Sequence, residues 1–376
     1  MLLRRELLYG VIIGLIAGLA IGSIIRGMMI ETEIRDLYNQ ISDLKRQIMV
    51  VKVAIPSLRN LAEKCGIYIG AAVERSLLDI PDYAYALKQE FNILTTENAL
   101  KFGPVHPQRD AYSFSDADYI ISFAESNGMK VRGHTLVWHQ QLPSWVAQGN
   151  YSREEWISII REHIMTVVGR YKGRIYAWDV INEAIADDGT LRDTIWLRNI
   201  GPEYIEMAFR WAHEADPQAI LFYNDYGAEG LNVKSNAIYN LVKSLLEKGV
   251  PIHGVGLQMH VSLENPSNPQ EVAANIKRLN DLGLEVHITE MDVRIRMPAR
   301  WEDLVEQAKI YRDFLRVCLS AERCKAFVMW GFTDKYSWIP GYFSGYGAAL
   351  IFDESYVPKP AYYYIAATFI EHLTKK

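Results

Sequence analysis

The chain has 376 residues, of which 49% are hydrophobic and 23% are charged. This composition excludes wholesale disorder, and the length is sufficient for a large hydrophobic core. The net charge of −5 provides no basic field, so nucleic acid is not expected as a partner. All 9 Trp and all 9 His residues lie after residue 105, which indicates an aliphatic N-terminal part and an aromatic-rich body.

The first predicted element is a membrane-spanning helix. Residues 7–25 carry no charge, and at ~1.5 Å per residue such a helix just spans a ~30 Å hydrocarbon core. A cleaved signal peptide is the alternative, but its apolar core has only ~7–15 residues and ends at a small-residue cleavage site. No clear site of that kind follows here. We therefore predict a terminus over residues 1–6 and a retained span over residues 7–27.

Two repeats predict that the N-terminal part self-associates. Glycines recur every fourth residue within the span, a stripe that lets helix backbones approach closely in lipid. Residues 28–56 then carry a heptad pattern with Ile at the a positions and mainly Leu or Ile at the d positions, which favours a parallel two-stranded coiled coil. The stalk has only about three and a half heptads, so a trimer is an open alternative to the dimer. A single amphipathic helix folded onto the body is the other alternative. The repeating residues are Gly10, Gly14, Gly18 and Gly22 in the span, Ile34, Ile41, Ile48 and Ile55 at a, and Ile30, Leu37, Leu44 and Val51 at d.

Charge divides along the same boundary. Residues 1–60 hold 8 basic and 5 acidic residues, net +3, and the remaining 32 basic and 40 acidic residues give net −8, which together recover −5. Arg4 and Arg5 precede the span and favour an N-terminus in the cytoplasm, although Arg26 lies close to its other end. The predicted location is therefore the cell membrane, crossed once, with the body outside the cell.

The body is predicted to be an α/β protein with the (β/α)8 TIM-barrel fold, over residues 60–376. Eight short apolar runs alternate with amphipathic helical stretches, as expected for strands that are buried on both faces. A doubly wound open sheet is the alternative, but no phosphate-binding glycine motif supports it. The predicted strands are residues 67–73, 91–97, 130–139, 175–183, 220–226, 253–260, 285–292 and 326–334. The predicted helices include residues 153–170, 202–215, 233–248, 269–282, 302–319 and 360–373.

Polar and aromatic side chains gather where these strands end, which is the functional face of such a barrel. A metal site is one reading, because His134, His139, His260 and His287 are possible ligands; however, neither H-E-x-x-H nor a zinc-type Cys/His spacing occurs, and no metal or cofactor is predicted. A Ser nucleophile lacks its G-x-S-x-G turn. The remaining reading is a carboxylate pair among Trp and Tyr side chains, the arrangement that cleaves glycosidic bonds.

The motifs resemble those of glycoside hydrolase family 10, the endo-β-1,4-xylanases, over roughly residues 60–372. They are WDVINEA at 178–184, HITEMD at 287–292, WGFTDKYSW at 330–338, GHTLVWH at 133–139 followed by QLP at 141–143, and NALK at 98–101. The resemblance implies that Glu183 is the general acid/base and Glu290 the nucleophile. It also implies that Asn182 holds the sugar 2-hydroxyl, and that His260 and Asp292 orient Glu290.

The resemblance further implies which residues bind the substrate, namely xylan and xylo-oligosaccharides. Gln258 is expected near the acid/base, and Tyr226 on the leaving-group side. The expected wall and lid on the other side are formed by Asn98, Lys101, His134, Trp138, His139, Gln141, Trp330 and Trp338. We interpret Asp179, Asp225 and His287 as structural groups, Asp334 as a loop anchor, and leave Glu97 without a role.

A disulfide between Cys318 and Cys324 is also implied by the resemblance, and it agrees with an oxidising exterior. Two buried thiols are the alternative for this pair. The third cysteine, Cys65, lies near the stalk, where it could bridge two chains or be buried. The expected reaction is hydrolysis of internal β-1,4-xylosidic bonds by double displacement with retention. A β-1,4-glucan hydrolase on the same scaffold and a non-catalytic surface carbohydrate-binding protein are the alternatives.

Overall fold

The computed structural model describes residues 56–375 of the chain. The predicted span over residues 7–27 and all but the last residue of the predicted stalk over residues 28–56 lie outside this part. Within residues 56–375, no helix combines the length and the apolar character needed to cross a bilayer. From Ser57 onwards, the described residues belong to one compact unit.

Eight parallel strands close into a barrel, as predicted. Each strand pairs with its neighbour in chain order, and the last strand pairs with the first, with Tyr68 opposite Ala326 and Ala71 opposite Met329. Nearly every strand residue is buried, because side chains alternate between the barrel interior and the surrounding helices. The strands are β1 (Tyr68–Val73), β2 (Ile93–Thr96), β3 (Lys130–Val137), β4 (Ala177–Asn182), β5 (Ile220–Asp225), β6 (Gly254–Leu257), β7 (Glu285–Arg296) and β8 (Cys324–Met329).

Helices follow the strands around the outside of the barrel. In this part of the chain they are α1 (Leu58–Cys65), α2 (Pro81–Glu90), α3 (Phe102–Val105), α4 (Ser115–Ser126), α5 (Ser144–Ala147), α6 (Arg153–Arg170), α7 (Ile195–Ile200), α8 (Tyr204–Ala215), α9 (Val233–Glu247), α10 (Pro269–Asp281), α11 (Trp301–Ser320), α12 (Ile339–Tyr342) and α13 (Pro360–Thr374). Short 3₁₀ helices cover Arg75–Asp79 and Asp334–Tyr336, and short strands cover His260–Ser262 and Tyr346–Gly347.

The local sequence explains why α6 forms where it was predicted. Ser152 caps the helix by accepting from the backbone N–H of Glu155, and the Glu155 carboxylate accepts from the backbone N–H of Ser152. Its apolar residues recur at helical spacing, and Trp156, Ile160 and Ile164 are almost fully buried. Burial of each aliphatic side chain contributes about 1.5–3 kcal/mol to the free energy of unfolding, and this stabilises the packing of the helix on the barrel.

The sixth strand differs from its predicted course. Residues 253–260 were expected to form one strand, but β6 ends at Leu257 and a second short strand starts at His260. Between them, Met259 takes a left-handed backbone conformation with φ of 66°. This break reorients the chain, so that Gln258 and His260 reach two different carboxylates at the mouth of the barrel.

The predicted disulfide between Cys318 and Cys324 is present, and it joins the end of α11 to the first residue of β8. The third cysteine, Cys65, is half-buried at the end of α1, with its Sγ 3.7 Å from the carbonyl oxygen of Phe369 on α13. The first and last helices of the barrel therefore meet at this thiol.

Candidate active site

Glu290 and His260 form the first part of the site. Glu290 lies on β7 and is 5% exposed. Its Oε2 is 3.1 Å from Nε2 of His260, whose Nδ1 is 2.8 Å from Oδ2 of Asp292. Burial alone lowers the pKa of His260, but the charge of Asp292 and the hydrogen bonds to both carboxylates outweigh burial and raise it to about 10. His260 is therefore an imidazolium at neutral pH, between two carboxylates.

The same neighbours determine the charge of Glu290. Burial raises the pKa of a carboxyl group, but the hydrogen bond from His260 and the positive charge of the nearby histidines hold the pKa of Glu290 below its ordinary value. Glu290 is therefore ionised at neutral pH although it is almost completely buried. An anionic, desolvated carboxylate with fixed orientation is suited to attack an electrophilic carbon.

A buried ion pair lies beneath Glu290. The Arg132 guanidinium pairs with Asp179, and Asp179 Oδ2 lies 3.0 Å from Nδ1 of His134. Burial alone raises the pKa of Asp179, but the charge of Arg132 and the hydrogen bond to His134 keep it below its usual value. His134 Nδ1 also lies 3.9 Å from Glu290 Oε1. Asp179 thus has the hydrogen-bonding role that the sequence indicated, and it fixes a ring beside Glu290.

The carboxylate of Glu183 accepts hydrogen bonds from neutral donors instead. Glu183 follows β4 directly, has a left-handed φ of 59° and is 7% exposed. Its Oε2 accepts a 2.9 Å hydrogen bond from Nε1 of Trp138. Its Oε1 accepts from Nδ2 of Asn182 at 3.3 Å and from Nε2 of Gln258 at 3.1 Å. Gln258 thus lies next to Glu183.

Two amides connect Glu183 to Glu290. Asn224 donates through Nδ2 to Oδ1 of Asn182 at 2.9 Å and to Oε1 of Glu290 at 2.7 Å. Asn182 in turn donates to Glu183, so a continuous chain of amide hydrogen bonds connects the two carboxylates. Asn224 was not among the predicted site residues, although it lies in the polar run at the end of the fifth strand.

The orientation of Asn224 is itself fixed by its surroundings. Thr289 donates through its hydroxyl to Oδ1 of Asn224 at 2.7 Å, which directs the amide nitrogen of Asn224 to Glu290. Gly256 on β6 leaves the space that this amide occupies. A Cβ at position 256 would lie 2.2 Å from Oδ1 of Asn224 and 2.9 Å from Cγ2 of Thr289.

Lys101 and Asn98 lie on one side of the carboxylates, at the ends of the first strands. Lys101 is 5% exposed, donates to Oδ1 of Asn98 at 2.9 Å, and has its ammonium 5.2 Å from the ring centroid of Trp138 and 5.7 Å from that of Trp330. Asn98 donates through Nδ2 to Oε2 of Glu74 at 2.9 Å. Glu74, directly after β1, was not predicted, although the polar residues Arg75 and Ser76 follow it.

Glu97 also lies in this region. Burial and the charge of Glu74 raise the pKa of Glu97 to about 7, although the charge of Lys101 opposes them. Burial lowers the pKa of Lys101, and the surrounding carboxylates oppose that effect. This side of the cleft therefore holds closely interacting charges next to two indole faces, a combination suited to a polyhydroxylated ring.

Trp330 and Trp338, which the sequence predicts to form an aromatic lid, lie on the Glu290 side. Nε1 of Trp338 donates to Oδ2 of Asp292 at 2.8 Å, and its ring packs edge-on against His260 with centroids 5.0 Å apart. Trp330 packs edge-on against His134 at 5.1 Å. Asp334 anchors the loop between them, as predicted, because its carboxylate pairs with Lys359 at 2.8 Å.

Tyr226 lies on the opposite side, after β5. Its hydroxyl accepts from Arg192 at 3.1 Å, and Arg192 also donates through Nε to the backbone oxygen of Glu183 at 2.8 Å. Lys234 lies 3.6 Å from the Tyr226 ring centroid and pairs with the buried Asp225 at 3.0 Å. Arg192 was not predicted, since it lies in the loop after β4, where no periodicity marks it.

The remaining predicted residues lie along the loop after β3. His139 is partly buried, and its ring contacts Trp138 edge-on with centroids 5.9 Å apart. Gln141 is exposed, has a left-handed φ of 50°, and accepts through its backbone oxygen from the N–H of Gly103. His287 is fully buried against Phe222 and lies beside Arg132 and Glu285, in agreement with its structural interpretation. Among residues 56–375, no group of three His, Cys, Asp or Glu side chains could hold a metal ion.

The sequence of the chain is similar to known proteins over most of its length. Residues 57–368 match the family described as Glycosyl hydrolase family 10. Endo-1,4-beta-xylanase B of Thermotoga neapolitana is 48% identical over 323 residues, which are 85% of this chain and 93% of that protein. A beta-1,4-xylanase of Dictyoglomus thermophilum is 44% identical over 329 residues, 83% of this chain and 90% of that protein.

The fold is similar to solved structures as well. Native xylanase 10B of Thermotoga maritima superposes with a TM-score of 0.83 at 48% identity, covering 85% of this chain and all of that one. Xylanase 10B of Thermotoga petrophila in complex with xylobiose gives a TM-score of 0.82 at 49% identity, covering 84% and 97%. With the family match over residues 57–368, these similarities show that the chain belongs to glycosyl hydrolase family 10.

Proposed function

We propose that the chain is an endo-1,4-β-xylanase that hydrolyses internal bonds of xylan with retention of anomeric configuration. One observation carries the proposal. Glu290 and Glu183 are connected by the Asn224–Asn182 amide bridge, but the Glu290 carboxylate is hydrogen-bonded to the charged His260 whereas the Glu183 carboxylate accepts from neutral N–H donors. Membership of glycosyl hydrolase family 10 and the xylanases that resemble the chain support the choice of substrate.

Glu290 acts as the nucleophile in this proposal. It is ionised, nearly dry and held by His260 and Asn224, so it attacks the anomeric carbon and forms a covalent glycosyl–enzyme. Glu183 protonates the departing glycosidic oxygen in the first step. In the second step it removes a proton from the water that releases the sugar. Asn182, between the two, holds the sugar 2-hydroxyl.

The substrate chain crosses the mouth of the barrel. On the non-reducing side, the sugar rings contact the wall formed by Asn98, Lys101, His134, Trp138, His139 and Gln141, under the indoles of Trp330 and Trp338. Tyr226 lies beside the leaving group, where Arg192 holds its hydroxyl. Indole faces pack on the apolar faces of sugar rings, and the amides and the ammonium bind the hydroxyl groups.

A comparison of substrates tests the activity. We expect the purified protein to release reducing sugar from xylan in large excess over cellulose, and E290A to release none. Faster release from cellulose or mixed β-glucan would support a glucan hydrolase on the same scaffold. Binding of xylan without any release would support the non-catalytic carbohydrate-binding protein.

A second measurement tests the stereochemistry. The first-formed product, followed by proton NMR before mutarotation, is expected to be the β anomer. A first-formed α anomer would require a water between the two carboxylates, and it would overturn the role of Glu290 as nucleophile.

We also propose that residues 1–56 attach the enzyme to the cell membrane, with residues 1–6 inside, a span at 7–27 and a dimeric or trimeric stalk at 28–56. The uncharged stretch, the glycine stripe and the heptads support this arrangement. The family match starts at residue 57, directly after the stalk. The disulfide between Cys318 and Cys324 is of a kind that persists in oxidising surroundings, which supports an extracellular body.

Fractionation and protease treatment test the attachment. The full chain is expected in the membrane fraction, and a chain starting at Ser57 in the soluble fraction. Protease added to intact cells is expected to remove the body. A body that survives this treatment but is degraded after lysis would contradict the proposed orientation.

A further inference from the structure

A polar pocket beside His260 has no role in the proposed reaction. Its volume is about 440 Å³, and it lies between the loop after β5, the segment 260–268 and the end of β7. Its lining includes Asn232, Asn265 and Asn268. The Asn232 amide is engaged in capping α9 and Oδ1 of Asn268 caps α10, which leaves the Asn265 amide and Nδ2 of Asn268 for a ligand. Amides both donate and accept hydrogen bonds, so this lining matches the hydroxyl groups of a sugar.

Arg294 supplies a positive charge at this pocket. It lies on β7 opposite Ser262 and is half-buried. Its guanidinium lies 4.2 Å from the ring centroid of Phe343, and the described residues give the side chain no hydrogen bond and no ion pair. The next arginine on the same side, Arg296, lies 4.0 Å from Glu264 and is largely exposed. Arg294 is thus a sheltered cation that still needs an anionic partner.

The position of the Arg294 guanidinium over the Phe343 ring leaves its N–H groups available to a ligand. A guanidinium that lies over a ring keeps its N–H groups at its edge, and their planar fork matches a carboxylate in a two-point contact. Glu229, which also lines the pocket, already accepts from the backbone N–H groups of Gly227 and Met259. The second pocket carboxylate, Glu271, lies against Gly230 and forms no ion pair with the guanidinium.

The position of Arg294 relates the pocket to the cleft. Asp292 and Arg294 lie two residues apart on the same face of β7, about 7 Å along the strand. Asp292 orients His260, which lines both the pocket and the site of Glu290. A group bound at Arg294 is therefore close enough to be attached to the polysaccharide that occupies the cleft.

We propose that this pocket binds a uronic acid branch of the substrate, with Arg294 pairing its carboxylate and the amides binding its hydroxyls. The inference rests on the proposed xylanase function. It assigns Arg294 to substrate preference rather than to bond cleavage. The enzyme is accordingly expected to favour acidic, branched xylan over the same polymer without its charge.

Carboxyl reduction of the substrate provides the test. We would measure kcat/KM of the full chain on glucuronoxylan and on the same glucuronoxylan after its uronic acids are reduced to neutral sugars. The ratio of kcat/KM on glucuronoxylan to kcat/KM on the reduced polymer is expected to fall about tenfold in R294Q. In R294K this ratio is expected to fall less, since Lys keeps the charge but not the planar two-point geometry of Arg. R296Q, outside the pocket, is the matched control and is expected to keep the wild-type ratio.

The outcomes separate this inference from the proposed function. A ratio in R294Q equal to that of the wild type overturns the inference, even if the enzyme hydrolyses xylan. An equal loss on both substrates also overturns it, because the pocket would then bind the main chain. A wild type inactive on linear xylan as well as on both polymers would instead refute the proposed function.

Discussion

The surroundings of Glu290 and Glu183 differ in the kind of group that holds each carboxylate. Glu290 is held by His260, a charged ring that is itself fixed by Asp292. Glu183 is held by the neutral N–H donors of Trp138, Asn182 and Gln258. A neighbouring cation keeps a carboxylate ionised, whereas neutral donors fix its position and add no charge. Two chemically identical side chains can therefore divide the work of one reaction.

The largest expected effect is the loss of activity when either carboxylate is removed, and the two losses should differ in how they depend on the leaving group of the substrate. E290A is expected to lose about 10⁵-fold in kcat on every substrate, because no covalent step remains. E183A is expected to lose about 10³- to 10⁴-fold on xylan, but to form the glycosyl–enzyme at nearly the wild-type rate from a dinitrophenyl glycoside, which needs no proton. Burst kinetics measures that step. Equal impairment of both variants on the activated glycoside would contradict the assignment.

The next effect concerns the charge of His260. H260Q removes the cation that holds the pKa of Glu290 down, so that pKa rises. Because Glu290 must be ionised to attack, the acidic limb of the kcat/KM profile is expected to move to higher pH, with a loss of about 10²-fold at its maximum. H213Q, on the outer helix α8, is the control and should keep the wild-type limb. An acidic limb that stays in place in H260Q would show that His260 does not govern Glu290.

The amide bridge predicts a smaller effect. N224A removes the donor to Oε1 of Glu290 and is expected to lower kcat about 10- to 100-fold. T289V removes only the hydroxyl that orients Asn224, and it is expected to cost a few-fold. Steady-state kinetics of both variants tests this order. A larger loss of kcat in T289V than in N224A would contradict the role of Asn224 as the main hydrogen-bond donor that connects Thr289 to Glu290.

The smallest expected effect is on the pH dependence of stability. It distinguishes the charged His260 from the neutral His287. His260 has a pKa raised to about 10, so its contribution to stability is complete below pH 6.5 and is lost as pH rises to about 10. Burial lowers the pKa of His287 to about 4, so its contribution is complete above pH 6.5 and is lost as pH falls to about 4. The Tm differences between the wild type and each variant, H260Q and H287Q, measure these contributions.

The Tm differences between the wild type and the two variants are expected to change by a few degrees with pH, and in opposite directions. For H260Q the difference from the wild type should narrow between pH 6.5 and 10. For H287Q it should narrow between pH 6.5 and 4. The same trend with pH in both variants would contradict the assigned charges of the two rings.

The barrel could be predicted because its signals are repetitive and local. Strands and helices alternate with clear periods, and α6 starts and ends at the predicted residues, Arg153 and Arg170. The predicted carboxylates, amides and indoles also come together at one mouth. The break between Gln258 and His260 could not be predicted in this way, because the composition around Met259 suits a continuous strand.

The missed residues are those whose roles depend on partners distant in sequence. Glu74 is identified only by its hydrogen bond to Asn98, and Arg192 by its bonds to Glu183 and Tyr226. Both lie among other polar loop residues, so the local composition does not single them out. Asn224 lies in such a run, but its bond to Glu290 spans 66 residues and exists only after the barrel closes.

Gly256 has a consequence for how this enzyme can be changed by mutation. Any side chain at position 256 would collide with Asn224 and Thr289, the pair that steadies Glu290. In a mutational scan, this position is therefore expected to tolerate almost no substitution, although it has no part in the proposed chemistry. Efforts to redesign substrate choice would do better to leave the wall of β6 alone and to vary the loops above it, where new side chains have room.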